Sequence, residues 1–189
     1  MVIVVIAHYN EDLQWLSKLK YPYTVISKNG CPKETPPNKG SEASSYLQYI
    51  INNYDNLCEY TIFLHGHQTS WHHQGNNSDI INSLVFNKNY QNINKYVYTL
   101  KFFPESLAKA KQLLPEIFKI LGIQVDINSI VFRCSAQFYV KKENIHRYPK
   151  EKYQELYDWI MNTKEVNYWS SRMFEYIWHI IFTGKIIES

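Results

Sequence analysis

The chain has 189 residues and a mass of 22.6 kDa, which suits one domain with a substantial core. Its 20 basic and 17 acidic residues nearly balance, so the charge makes no case for a nucleic-acid partner or a membrane surface. Aromatic residues make up 16% of the chain, an enrichment that fills cores and also suits stacking on sugar or base rings.

Cys31, Cys58 and Cys134 are odd in number and widely spaced, which predicts neither a disulfide framework nor a thiolate zinc site. The apolar start MVIVVIA lacks a basic leader region and runs straight into HYNED, so it reads as a strand and not as a signal peptide. No other apolar run approaches a membrane span, and the expectation is a soluble cytoplasmic protein.

In chain order, residues 2–7 read as the first strand and His8 to Asp12 as the loop at its carboxyl end. A helix is expected from about Asp12 to Leu19, with Leu13, Leu16 and Leu19 on one face and Asp12 as N-cap. Tyr23 to Ser27 is a short strand, and residues 31–39 form a stiff loop with three prolines. A helix from about Ser41 to Tyr54 carries Ala43, Tyr46, Leu47, Ile50 and Ile51 at helical spacing. Thr61 to Leu64 is a strand apolar on both faces, ending in His65-Gly66-His67 and then Trp71, His72 and His73. This alternation predicts an α/β fold with a mostly parallel central sheet flanked by helices.

The second half is less regular. Residues 76–86 read as a short amphipathic helix capped by Asn77 or Ser78, residues 95–103 as a strand, and residues 104–121 as a helix that stops at Gly122. Val131 to Val140 reads as one strand with a bend at Ser135, and residues 149–161 and 169–182 as helices. No repeat or linker divides the chain, so 1–189 is expected to be a single domain.

Ligands of open α/β sheets bind where strands end, which makes the histidines after Leu64 the floor of an expected site. Asn38 and Gly40 stand at a helix start, where free N–H groups and the helix dipole suit a diphosphate; alternatively, Gly40 only starts the helix. On the last helix Arg172, Glu175 and His179 share one polar face amid apolar residues. Burial would raise the Glu175 pKa and Arg172 would lower it, a balance that suits a general base; alternatively, the pair only locks the helix in place.

NKGSEASSYLQYI, YTIFLHGH, SWHH, CSAQFYVKKENI and RMFEYIWHIIF together resemble an uncharacterised domain-of-unknown-function family of fungi and large viruses, over nearly the whole chain. That family carries an arginine where this chain has Ser41. The same order of segments resembles a compact GT-A-type glycosyltransferase with a Rossmann-like fold. That resemblance implies a nucleotide-sugar-binding half at 1–75 and an acceptor and catalytic half at 76–189. It implies a nucleotide-sugar donor held by His8, Tyr9, Asn10, Glu11, Asn38, Gly40, Glu42, His65 and His67. A glycan or glycoprotein acceptor would lie against Trp71, His72 and Gln137, with Glu175 and Arg172 as the catalytic pair.

His65-Gly66-His67 occupies the place of the Asp-x-Asp metal motif of such enzymes. Imidazoles suit Mn²⁺ or Zn²⁺ better than Mg²⁺, so either a different divalent metal is held by His65 and His67, with His179 as a further ligand, or none is used. Two other readings stay open: a nucleotide- or glycan-binding module without turnover, and a histidine-ligated metallohydrolase. The latter is weakened by Thr69, where an aspartate would be expected.

Overall fold

The structure, a computed structural model, describes residues 1–29 and 38–188. Gly30, Cys31 and most of the proline loop lie outside the described residues. Among the described residues seven strands and six α-helices follow in chain order as β1 (Val2–His8), β2 (Tyr23–Ser27), α1 (Ser41–Asn53), β3 (Tyr60–His65), α2 (Asn77–Ser83), β4 (Tyr90–Asn92), β5 (Val97–Thr99), α3 (Pro104–Leu121), β6 (Val131–Arg133), β7 (Phe138–Lys141), α4 (Lys142–Ile145), α5 (Lys150–Asn162) and α6 (Asn167–Thr183).

The main sheet has the order β2-β1-β3-β7-β4. β2, β1 and β3 are parallel, whereas β7 runs antiparallel to both β3 and β4. The sheet is therefore mixed, which corrects the expected mostly parallel one. The 131–140 run is two strands: β6 pairs with β5 in a separate two-stranded sheet, and β7 joins the main sheet. Ser135, with φ 64, makes the break between them. A bend was expected there; a left-handed residue turns it into a change of sheet.

Smaller differences have local causes. Residues 12–19 form only a 3-10 helix, Gln14–Lys18, because the Asp12 side chain accepts from Gln14 N–H (2.9 Å) in a tight Asx turn. The helix expected at 76–86 spans Asn77–Ser83 and is capped by Asn76, whose side chain accepts from Asp79 N–H. Within 95–103 only Val97–Thr99 is extended, followed by a 3-10 turn at Leu100–Phe102.

Burial explains the apolar runs of β1 and β3. Val5 and Ala7 of β1 and Phe63 of β3 face the larger core under α1, α3, α5 and α6. Val4, Ile6, Ile62 and Leu64 face a smaller core with Trp15, Leu16 and Ile81. A strand covered on both faces has no polar side to alternate with. At the centre of the larger core Trp178 is 1% exposed, stacked on Phe182 (5.6 Å) and packed against Phe138 and Phe174. Trp178→Ala is expected to cost about 3–5 kcal/mol, read as a lower urea midpoint. Among the described residues no helix is long and apolar enough to cross a membrane.

Candidate functional site

The strand order itself makes a crevice. From β1 the chain goes to one side for β2 and to the other for β3, so the connections diverge above the carboxyl ends of β1 and β3. A cleft of about 330 Å³ opens there, lined by His8, Tyr9, Glu11, Lys28, Asn38, Ser41, Glu42, Ser45, His65, His67 and Asn167.

Glu11 organises one wall. Its Oε2 accepts from the Tyr9 and Asn10 N–H groups at 2.7 and 3.1 Å, and its Oε1 lies 3.6 Å from His67 Nε2. Burial works to raise its pKa, but the backbone hydrogen bonds and the nearby His67 and His8 outweigh burial and lower it. His8 is held between Ser27 Oγ (2.9 Å) and the Glu11 carbonyl (3.2 Å). Gly66 has a packing reason, since a Cβ there would stand 2.9 Å from Glu11 Oε2. Asn10 is exposed and contributes only its backbone to this wall.

The opposite wall is the start of α1. Gly40 and Ser41 both have positive φ, 72 and 45, and a Cβ on Gly40 would lie 2.3 Å from Ile160 Cγ2. Asn167 of α6 pins this turn, donating to the Asn38 carbonyl (2.8 Å) and accepting from Gly40 N–H (3.4 Å). Lys28 reaches in from the end of β2 and donates to the Lys39 carbonyl (3.1 Å), the Ser41 carbonyl and Ser44 Oγ. Burial lowers its pKa to about 8, and Glu42 opposes that shift. Lys28, Ser45 and Asn167 were missed in the sequence. Only the position of Lys28 at a third strand end could have signalled it.

On the floor, His65 N–H donates to Gln137 Oε1 (3.2 Å), while its ring Nε2 is buried without a partner. Burial, then His67, lowers the His65 pKa to about 4. Gln137 is 0% exposed and also takes up Asn77 and Asn94, so it stands behind the cleft and does not line an acceptor surface. His72 is likewise buried, its Nδ1 2.7 Å from Asn94 Oδ1.

Low histidine pKa values carry a stability consequence. The unfolded chain takes up a proton on His65 near 6.5 while the folded chain resists until about 4, so this contribution is full above 6.5 and is lost as pH falls through that window. His65→Gln is therefore expected to be less acid-sensitive than the parent chain between pH 6.5 and 4, as read by melting curves.

A second cavity of about 250 Å³ is walled by Trp71, Tyr98, Phe103, Phe132 and Tyr176, with Arg172 and Glu175 among its lining. Trp71 is 70% exposed and stacks on Tyr96 at 6.0 Å. Glu175 Oε2 accepts from Ser135 N–H (3.1 Å), so the left-handed turn at Ser135 also serves this carboxylate. Burial and then the charge of Glu42 push Glu175 up to about 7, against Arg172 and the Ser135 hydrogen bond. Among the described residues Arg172 makes no ion pair with Glu175; its guanidinium lies 4.6 Å over the Tyr168 ring. The helix-locking ion pair considered as an alternative is therefore not formed.

Glu42 relates the two cavities: it lines the first, and its charge acts on both Arg172 and Glu175 of the second. His179 does not belong to either, since it lines a cavity with Tyr90 and Glu188. His65, His67 and His179 are therefore not brought together. Among the described residues no three His, Cys, Asp or Glu side chains form a metal-holding group.

Fold and cleft together define an α/β protein with a mixed sheet and a polar crevice at its topological switch point. The chain belongs to the family described as "Protein of unknown function (DUF3431)", whose profile matches residues 3–189. No curated protein and no solved structure matches it.

Proposed function

We propose that the protein is a compact GT-A-type glycosyltransferase that moves a sugar from a nucleotide-sugar donor to an acceptor hydroxyl with inversion. The observation that carries this reading is a pair of unlike cavities linked by the charge of Glu42, which lines one and acts on Glu175 of the other. One is polar, at a switch point and beside a helix start; the other is aromatic and holds a carboxylate with a pKa of about 7.

In the proposed arrangement the nucleotide lies near Tyr9 and Glu11, and the diphosphate lies along residues 38–42 and His65. Trp71 offers an exposed ring face to a terminal acceptor sugar, with Tyr176 in the wall beside it. The acceptor oxygen attacks the anomeric carbon as its proton passes to Glu175, and the bond from that carbon to the diphosphate oxygen breaks. Lys28 and Arg172 offset the charge on the departing nucleoside diphosphate. His65 Nε2, buried and unpartnered, is the atom a Mn²⁺ ion would use here, with His67 beside it; such an ion would add charge neutralisation.

The test is thermal shift with nucleoside diphosphates and sugar nucleotides, with and without Mn²⁺, followed by donor hydrolysis. A raised melting temperature and slow hydrolysis with one sugar nucleotide are expected. Stabilisation without turnover under any condition would leave a nucleotide-binding module, and no response to any nucleotide would overturn both readings.

A further inference from the structure

At the other end of the sheet, beside the start of β4, a cavity of about 490 Å³ is lined by Tyr90, Asn144, His179, Thr183, Lys185 and Glu188. Its floor gathers three polar groups with unused acceptor capacity, the His179 ring, the Glu188 carboxylate and the Tyr90 hydroxyl, and only the last has a hydrogen to give. His179 Nε2 lies 3.1 Å from the Ile186 carbonyl; a carbonyl only accepts, so Nε2 carries the hydrogen and Nδ1 is a bare lone pair. That lone pair faces Glu188 Oε2 at 3.9 Å, another acceptor, too far for a direct hydrogen bond. Glu188 Oε2 already accepts from Arg133 N–H at 2.5 Å. Glu188 Oε1, His179 Nδ1 and the Tyr90 hydroxyl are each buried without a well-aligned hydrogen bond, although Tyr90 and Asn92 stand close enough to Glu188 to favour its charge.

Glu188 is 8% exposed and makes no ion pair with a Lys or Arg among the described residues; the charge of Arg133, together with Tyr90 and Asn92, offsets its burial only in part. The Arg133 guanidinium is turned to the Asn94 and Lys95 carbonyls, at 3.3 and 3.2 Å. Burial keeps His179 neutral, its pKa lowered to about 4, and burial likewise pushes Glu188 up to about 7. A buried carboxylate with no ion-pair partner beside a neutral ring is costly, and a ligand that supplies both charge and donors relieves that cost. A primary ammonium has three donors and one positive charge, which matches Glu188 Oε1, the His179 Nδ1 lone pair, the acceptor side of the Tyr90 hydroxyl and a carboxylate with no ion-pair partner. Lys88 and Lys185 are exposed at the rim of the same cavity.

We infer that this cavity binds a small primary ammonium compound with an anionic tail. The ammonium sits among Glu188 Oε1, His179 Nδ1 and the Tyr90 hydroxyl oxygen, and the tail reaches Lys88 and Lys185. The site is separate from the switch-point cleft and owes nothing to the transferase reading.

The experiment is ligand-observed NMR titration of the whole chain with n-butylamine, 4-aminobutyrate and butyrate. Both amines are expected to bind saturably and to compete, 4-aminobutyrate more tightly, with butyrate silent. Glu188→Gln should weaken both amines at least tenfold. Lys185→Met, an exposed change that leaves the floor intact, should narrow the advantage of 4-aminobutyrate and leave n-butylamine unchanged. Should Glu188→Gln fail to fold, Tyr90→Phe replaces it, with a several-fold loss for both amines expected. Butyrate binding as well as the amines, neither amine saturating, or amine binding unmoved by the floor substitutions would overturn the inference.

Discussion

Glu175→Gln is expected to lower the transfer rate by about 10²–10⁴-fold while donor binding stays close to that of the parent chain. The substitution keeps the shape and the hydrogen bond from Ser135 N–H and removes only the ability to take a proton. The pH profile supplies a second readout. A base acts when deprotonated, so with Glu175 near 7 the rate should climb as pH rises to about 7 and then level off. That limb should be missing in Glu175→Gln. Stability gives a third. Because the folded pKa lies above the ordinary 4.5, the folded state holds this proton more tightly than the unfolded chain does. The associated stability is complete below about 4.5 and is lost as pH rises through about 7. Glu175→Gln should therefore unfold no more easily than the parent chain at pH 8. A loss of rate accompanied by an equal loss of stability would assign Glu175 to packing instead.

Gly40→Ala is expected to be the most damaging small substitution near the cleft. The residue sits at φ 72, where an L side chain costs about 1–2 kcal/mol. Its new Cβ would meet Ile160 Cγ2 at 2.3 Å, and overpacking of that kind adds about 1–3 kcal/mol. The sum is a loss of about 2–5 kcal/mol in urea unfolding. Nucleotide affinity should fall at least tenfold, because the turn that moves also carries Asn38, Ser41 and Glu42. Ile160→Ala in the same chain removes the clash but not the backbone strain, so a double-mutant cycle should return part of the stability and not all of it. Full recovery, or no loss from Gly40→Ala in the first place, would refute the turn's role.

How much of this was legible in the sequence varies with the kind of signal. β1, β3 and α6 were readable because burial on both strand faces and around most of a helix leaves long apolar runs. Gathering of His8, Tyr9, Glu11, Asn38, Glu42, His65 and His67 around one cleft followed from strand order, which local alternation predicts. β4 was missed because Tyr90–Asn92 has three residues and one buried side chain, too short for any periodicity. Mixed strand direction was missed because Val131–Val140 reads as one continuous strand with polar residues only at Arg133, Ser135 and Gln137, and nothing in such a run tells that Ser135 will send its halves into different sheets. The glycosyltransferase resemblance implies Gln137 and His72 as acceptor-side residues. They are instead the partners that satisfy buried amides around Asn94, a pairing made by residues far apart in the chain. Lys28 escaped for the same reason, since its carbonyl partners are brought to it only by the turn at Gly40.

A crystal of the protein soaked with an intact sugar nucleotide examines the joined site most directly. The diphosphate should lie within hydrogen-bonding reach of residues 38–42 and His65, with the anomeric carbon turned across Glu42 toward Glu175. A nucleotide seated away from the β1 and β3 strand ends, or a sugar pointing away from Glu175, would contradict the account.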